Sequence, residues 1–354
     1  MKFKLLIAFT IVTILLRFLA FPYPELTEKY YTKGVFLTIR QTLDTCYHWI
    51  NIPFWYVFWL AFISSSLAWV IGFIRNKSDW PTKRMVLLKF LVTYICLIVI
   101  VFNWFWGFNY ARIPLDEKLE FDLTELDSAT IRVELDSAIA ALIISKMELD
   151  AHPRPDFKKE LENKTRSYLS GTLTDLGYPA TGRPRVFAIQ PNGLLLRLGV
   201  LGVYWPFIGQ GQVDNGVPEM LKPFIFVHEM SHAYGFTDEG TCNFLAYIAC
   251  RDSGDPVFKY SADIAYFRTV AGNYKYLDST AYMIKRGAIP SNVRQDLDSI
   301  NVLMKKYPTW VSTTAVYDWY LKAEGIEEGI ENYDKIIAMV RVWREKNQLL
   351  QLKK

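Results

Sequence analysis

The sequence predicts an α+β chain, mainly α: three N-terminal transmembrane helices, then a largely helical domain that holds a small β-hairpin or sheet. Three observations carry this. Long uncharged runs crowd residues 1–108, while 109–354 has the mixed polarity of a water-facing domain. Beyond residue 109, apolar residues recur at helical spacing with acids between them. Only around 185–213 does the chain read as extended and punctuated by glycine. The boundary is therefore drawn between a membrane domain, 1–108, and a second domain, 109–354.

The first apolar segment, 5–21, follows Lys2 and Lys4. Phe18-Leu19-Ala20 is too bulky for signal cleavage, so a retained helix is expected, with Arg17 snorkelling to the outer interface. Residues 54–74 form an uninterrupted apolar span, and 90–108 another, closing on Trp104 and Trp106 at an interface. Between these two spans, Arg75, Lys77, Lys83 and Arg84 outweigh Asp79 and mark a cytoplasmic loop. The earlier loop balances Lys29, Lys33 and Arg40 against Glu25, Glu28 and Asp44, and suits the outer side. Three crossings from a cytoplasmic N-terminus place 109–354 outside. The expectation is a multi-pass protein of a bacterial inner (cytoplasmic) membrane, its C-terminal domain on the periplasmic or outer side. The semi-apolar stretch 33–52 would lie along the membrane surface or cover that domain.

In the second domain, helices are expected at 123–149 and 155–176. A strand follows at 185–190, and Asn192-Gly193 predicts a hairpin leading into 194–200. Residues 199–213 continue as extended chain, an edge along which a peptide could pair, with Tyr204, Trp205, Pro206 and Phe207 beside it. Further helices are expected at 223–236, 239–251, 256–271, 291–305, 310–323 and 332–350. Pro223 suits the first turn of the first of these.

Composition narrows the function. The hydrophobic share is 51% and the net charge only +4, with no concentrated basic tract, so no nucleic-acid partner is expected. Cys242 and Cys250 share one helix, about 12 Å apart along its axis, too far for a disulfide. The four cysteines read as small buried apolar residues.

The chemistry is concentrated in His228-Glu229-Met230-Ser231-His232, an H-E-x-x-H pentapeptide that holds two of the chain's four histidines; the others are His48 and His152. On a helix the two imidazoles share a face and can hold one Zn2+. Glu229, about 100° round the helix from His228, is placed to act as general base toward a water at the metal. A third ligand must lie downstream, and two neighbouring acids compete. Asp238 completes H-E-x-x-H-x-x-G-x-x-D, with Gly235 supplying the turn back to the metal. Glu239 opens the next helix, where Asn243 one turn later can hydrogen-bond a ligand and hold its orientation. Glu239 is favoured for that reason. Asp238 then caps the helix, and remains the alternative ligand. An oxyanion donor must come from Tyr234, Tyr247, Tyr266, Arg268, Tyr317 or Tyr320, and no spacing selects among them.

The string from His228 to Phe236, with Glu239 and Asn243-Phe244-Leu245-Ala246-Tyr247, resembles an uncharacterised family of bacterial membrane proteins that carries a domain of unknown function. That family shows H-E-L-A-H, a short gap and E-x-E-A-N-F-L-A-Y, and has three N-terminal membrane helices. Tyr317-x-x-Tyr320-Leu321-Lys322 also fits, and the likeness covers most of the chain. The resemblance implies a zincin-like domain and a zinc metallopeptidase of the gluzincin type, with His228, His232 and Glu239 as ligands and Glu229 as base. One departure stands out: Thr241 occupies the place of the second acid, and Cys242 that of the following alanine. The expected function is a membrane-anchored zinc peptidase that cuts a peptide or protein substrate outside the cytoplasm. The alternative is a catalytically silent binding or scaffold membrane protein that keeps zinc for structure. An intramembrane protease is disfavoured, because the apolar run before His228 is too short to span a bilayer.

Overall fold

A computed structural model describes residues 2–47, 49–124, 126–152, 157–310 and 314–352. His48 lies outside the described residues, as do 155–156 and 311–313 at the starts of two expected helices. The fold separates into two compact units: the chain up to Arg112 with Trp205–Gln210, and Ile113–Tyr204 with the chain from Gly211 on.

In the first unit, α1 (Lys2–Ala20), α3 (Phe54–Arg75) and α4 (Trp80–Phe105) are each long and apolar enough to cross a membrane. Between α1 and α3, residues 24–47 are helical rather than a loose loop. Thr27–Phe36 is wound as a π-helix and continues into α2, Leu37–Tyr47. The buried Glu28 of this stretch pairs with Arg112 at 3.2 Å. Helix α4 starts well before the expected residue 90, because Pro81 can occupy a first turn that needs no N–H there. It ends at Phe105, and Gly107–Ala111 turns as a 3-10 helix. Arg17 is held within the protein, bonded to Asn103 and to the carbonyl of Gly107. Trp205 and Phe207 pack on Trp55 and Phe58, with ring centroids 5.3 and 6.1 Å apart.

After a single helical turn at Leu115–Lys118, the second unit continues with α5 (Ser128–Asp150), which Asp127 caps by accepting from Thr130 N, and α6 (Phe157–Asp175). Three strands follow: β1 (Arg185–Ile189), β2 (Gly202–Trp205) and β3 (Gln210–Asp214), in the order β1-β3-β2. The helices that complete the unit are α7 (Lys222–Ala233), α8 (Glu239–Arg251), α9 (Pro256–Leu277), α10 (Ser279–Ala288), α11 (Ser291–Met304), α12 (Thr314–Ala323) and α13 (Lys335–Leu352). Every residue of α7 is buried, so it runs through the core rather than across the surface. Phe224, Val227 and Met230 anchor it there, each worth roughly 1.5–3 kcal/mol of burial.

The sheet corrects one expectation. Asn192-Gly193 does not make a hairpin, and 194–200 is a run of turns rather than a strand. The Asp214 carboxylate accepts from the amides of Gly193 and Leu195, both at 2.7 Å, and from Leu196 at 3.2 Å. Those donors are thereby withdrawn from any ladder. The hairpin joins β2 to β3 instead, turning through Gly209 at φ 64. Helix α10 lies where no element is expected, and α9 continues to Leu277 rather than stopping at 271.

Candidate metal centre

The site is built by one turn. Helix α7 ends at Ala233, and Gly235 takes φ 88, a left-handed conformation that glycine adopts without strain. Phe236 N then bonds Ser231 O at 3.2 Å, and Gly235 N bonds His232 O at 2.8 Å, closing the helix end. The chain that leaves this turn starts α8 four residues later, with Glu239 in its first turn.

His228, His232 and Glu239 come together there. One donor atom from each lies within 4.8 Å of the others. Glu239 Oε2 is 3.1 Å from His228 Nε2 and 3.4 Å from His232 Nε2, and the two Nε2 atoms are 3.2 Å apart. The far side of each ring is fixed. His228 Nδ1 is 2.8 Å from Asn243 Oδ1, and His232 Nδ1 is 2.8 Å from the carbonyl of Phe236. A carbonyl oxygen only accepts, so each Nδ1 carries a proton and Nε2 is the atom that each ring turns toward Glu239. A buried carboxylate facing two imidazoles calls for a positive charge among them.

The charges reflect this convergence. Burial opposes ionisation of Glu239, but His232 and His228 beside it hold its carboxyl well below the usual range. Burial likewise opposes charge on His232, yet Cys242 and Glu239 lift it well above an ordinary imidazole. Burial pushes the neighbouring Cys242 thiol up to about 11.

Glu229 stands beside the group and is only 4% exposed. Burial pushes its carboxyl up to about 7 against the pull of His228 and His232. Its Oε2 is buried with no hydrogen-bond partner among the described residues. Two strand glycines make its room. A Cβ on Gly202 would come within 2.5 Å of Glu229 Oε1, and one on Gly211 within 3.0 Å of Glu229 Cβ.

Asp238 is placed elsewhere. It caps α8, accepting from Thr241 N at 2.6 Å, and takes Asn332 Nδ2 on its other oxygen at 2.8 Å. Thr241, at the position of the second acid, is buried in α8 and outside the His–His–Glu group.

Residues 329–334 supply what the motif does not announce. Asn332 Oδ1 accepts from Gly240 N at 2.8 Å, and a Cβ on Gly240 would meet Asn332 O at 2.5 Å. Tyr333 stacks on His228, with interplanar angle 11° and centroids 6.4 Å apart, and its carbonyl accepts from Asn243 Nδ2 at 3.4 Å. From α12, the Tyr317 hydroxyl donates to Glu239 Oε1 at 2.5 Å. Among the other expected hydroxyl and guanidinium candidates, Tyr266 donates to Glu134 at 2.6 Å and Arg268 to Asn301 at 2.9 Å. Tyr247 packs on Tyr266, with centroids 5.0 Å apart.

Fold and site define a mainly helical chain with three helices able to span a membrane and a buried His–His–Glu group able to hold a metal. The family model described as protein of unknown function (DUF3810) matches residues 31–340, and the chain belongs to that family. None of the curated proteins matches the chain. None of the solved structures matches it either.

Proposed function

We propose that this chain is a membrane-anchored, zinc-dependent metallopeptidase that hydrolyses peptide bonds outside the cytoplasm, and that 109–354 is its extracytoplasmic zincin-like domain. The donor set suits the ion. Two imidazole nitrogens and one carboxylate oxygen are a common ligand set for catalytic zinc, with a position left open. His228 and His232 would hold it through Nε2 and Glu239 through Oε2. Bound there, zinc would supply a Lewis acid that polarises a carbonyl and acidifies water.

The remaining steps belong to the chain. Asn243 and the Phe236 carbonyl keep both rings turned inward. Glu229 accepts the proton of the attacking water and returns it to the leaving amine. Strand β2 lies at the sheet edge, with Gly202 against the Glu229 carboxylate, so an extended peptide pairing along it would lay its main chain beside the base.

The observation that carries this reading is the buried, unpartnered Oε2 of Glu229 beside three convergent donors. Leaving a buried acceptor unsatisfied costs about 1–3 kcal/mol. A scaffold that keeps zinc only for structure gains nothing from that arrangement. Glu229→Gln should therefore retain zinc while peptide hydrolysis falls by about 10^2–10^4-fold. Undiminished hydrolysis by the variant would remove Glu229 as the base, and no hydrolysis by the wild type on any peptide library would turn the reading toward the scaffold.

A further inference from the structure

The two oxygens of Glu239 are treated differently by the fold. Oε2 faces both imidazoles, at 3.1 and 3.4 Å. Oε1 is taken by the Tyr317 hydroxyl at 2.5 Å. The Tyr333 side chain lies beside the same carboxylate and the Tyr317 hydroxyl, with its ring parallel to that of His228. Two tyrosines from distant parts of the chain, one on α12 and one at 329–334, thus converge on one acid and one imidazole.

We infer that Tyr317 and Tyr333 are positioning residues that present Glu239 to a metal through a single oxygen. The inference rests on the metal-site reading above and deepens it. A carboxylate near a divalent ion can bind through one oxygen or through both. A hydroxyl donated to Oε1 occupies that oxygen and orients the group, so Oε2 alone points at the space between the imidazoles. One-oxygen binding keeps the protein's share of the coordination sphere at three donors and leaves room for water or substrate. Tyr333 adds a second constraint: its ring lies parallel to that of His228, and its carbonyl holds Asn243, which in turn fixes His228 Nδ1. A carboxylate ligand left without such partners loses orientation, and groups in this role are typically worth 10–100-fold in metal affinity. Neither tyrosine is required to touch substrate, so the effect belongs to metal binding itself.

The test uses the full chain in detergent. Tyr317→Phe and Tyr333→Phe are each titrated with Zn2+ against a chromophoric chelator, and with Co2+ read by visible absorption. Each substitution removes one oxygen atom, and having two variants guards against either failing to fold. Affinity for Zn2+ should fall by about 10–100-fold in each. The Co2+ bands of Tyr317→Phe should weaken, because a carboxylate free to bind through both oxygens raises the coordination number. Wild-type affinity and an unchanged Co2+ spectrum in both Phe variants, with metal lost in Glu239→Ala, would overturn the role of the tyrosines and leave the metal site standing. A wild-type chain that binds neither ion would overturn both.

Discussion

Five side chains, His228, Glu229, His232, Glu239 and Asn243, form the part of the site that a local sequence pattern can show. They sit on two consecutive helices joined by one glycine turn, so short spacing translates directly into contact. Tyr333 and Asn332 are invisible in the same way of reading, because they join the site across some ninety positions of chain. Tyr317 is visible only as one tyrosine among many. The ionisable trio also sets a pH dependence for the metal-free protein. Glu229 is raised from 4.5 to about 7, so between those values the folded chain keeps a proton that the unfolded chain has lost, and stability falls as pH rises. His232 is raised above 6.5; its contribution is fully present below 6.5 and is lost as pH climbs through the folded value. Glu239 is depressed below 4.5; its contribution is present above 4.5 and is lost as pH falls through the folded value. Thermal unfolding of the metal-free chain should thus show greatest stability at about pH 5 and a decline toward about pH 8. A profile that rises over that range would contradict the charge states assigned to the site.

At the scale of elements, helices are readable where they own a cap or an uninterrupted period. Asp238 accepts from the amide three residues on, and α8 begins there; Asp127 does the same for α5, which starts at Ser128 rather than at the expected 123. The three apolar helices are readable because crossing length and absence of charge are properties of the segment alone. The hairpin is not readable, since Asn-Gly describes a local preference and the outcome depends on a distant acid. Asp214 collects the amides of Gly193, Leu195 and Leu196 and folds that segment into turns. The strands then pair further on, which brings Gly202 and Gly211 to Glu229. Helix α10 escapes prediction for a related reason. It is a ten-residue helix with no fully buried residue, and its start is marked by the Asp278 cap.

For the whole molecule, three helices able to span a membrane and the basic residues between the second and third imply an orientation. The proposal that 109–354 lies outside the cytoplasm is checked by protease treatment of cells with a permeable outer layer and an intact inner membrane. Cleavage of the C-terminal domain under those conditions is expected; protection until the inner membrane is opened would reverse the topology. The central claim, however, is that His228, His232 and Glu239 surround one zinc ion while Asp238 caps α8 and is no ligand. Its most direct measurement is the zinc content of the purified full chain beside Glu239→Ala and Asp238→Ala. Equimolar zinc in the wild type and in Asp238→Ala, with zinc lost from Glu239→Ala, is the predicted result. Zinc absent from the wild type, or stripped by the aspartate change and kept by the glutamate change, would contradict it.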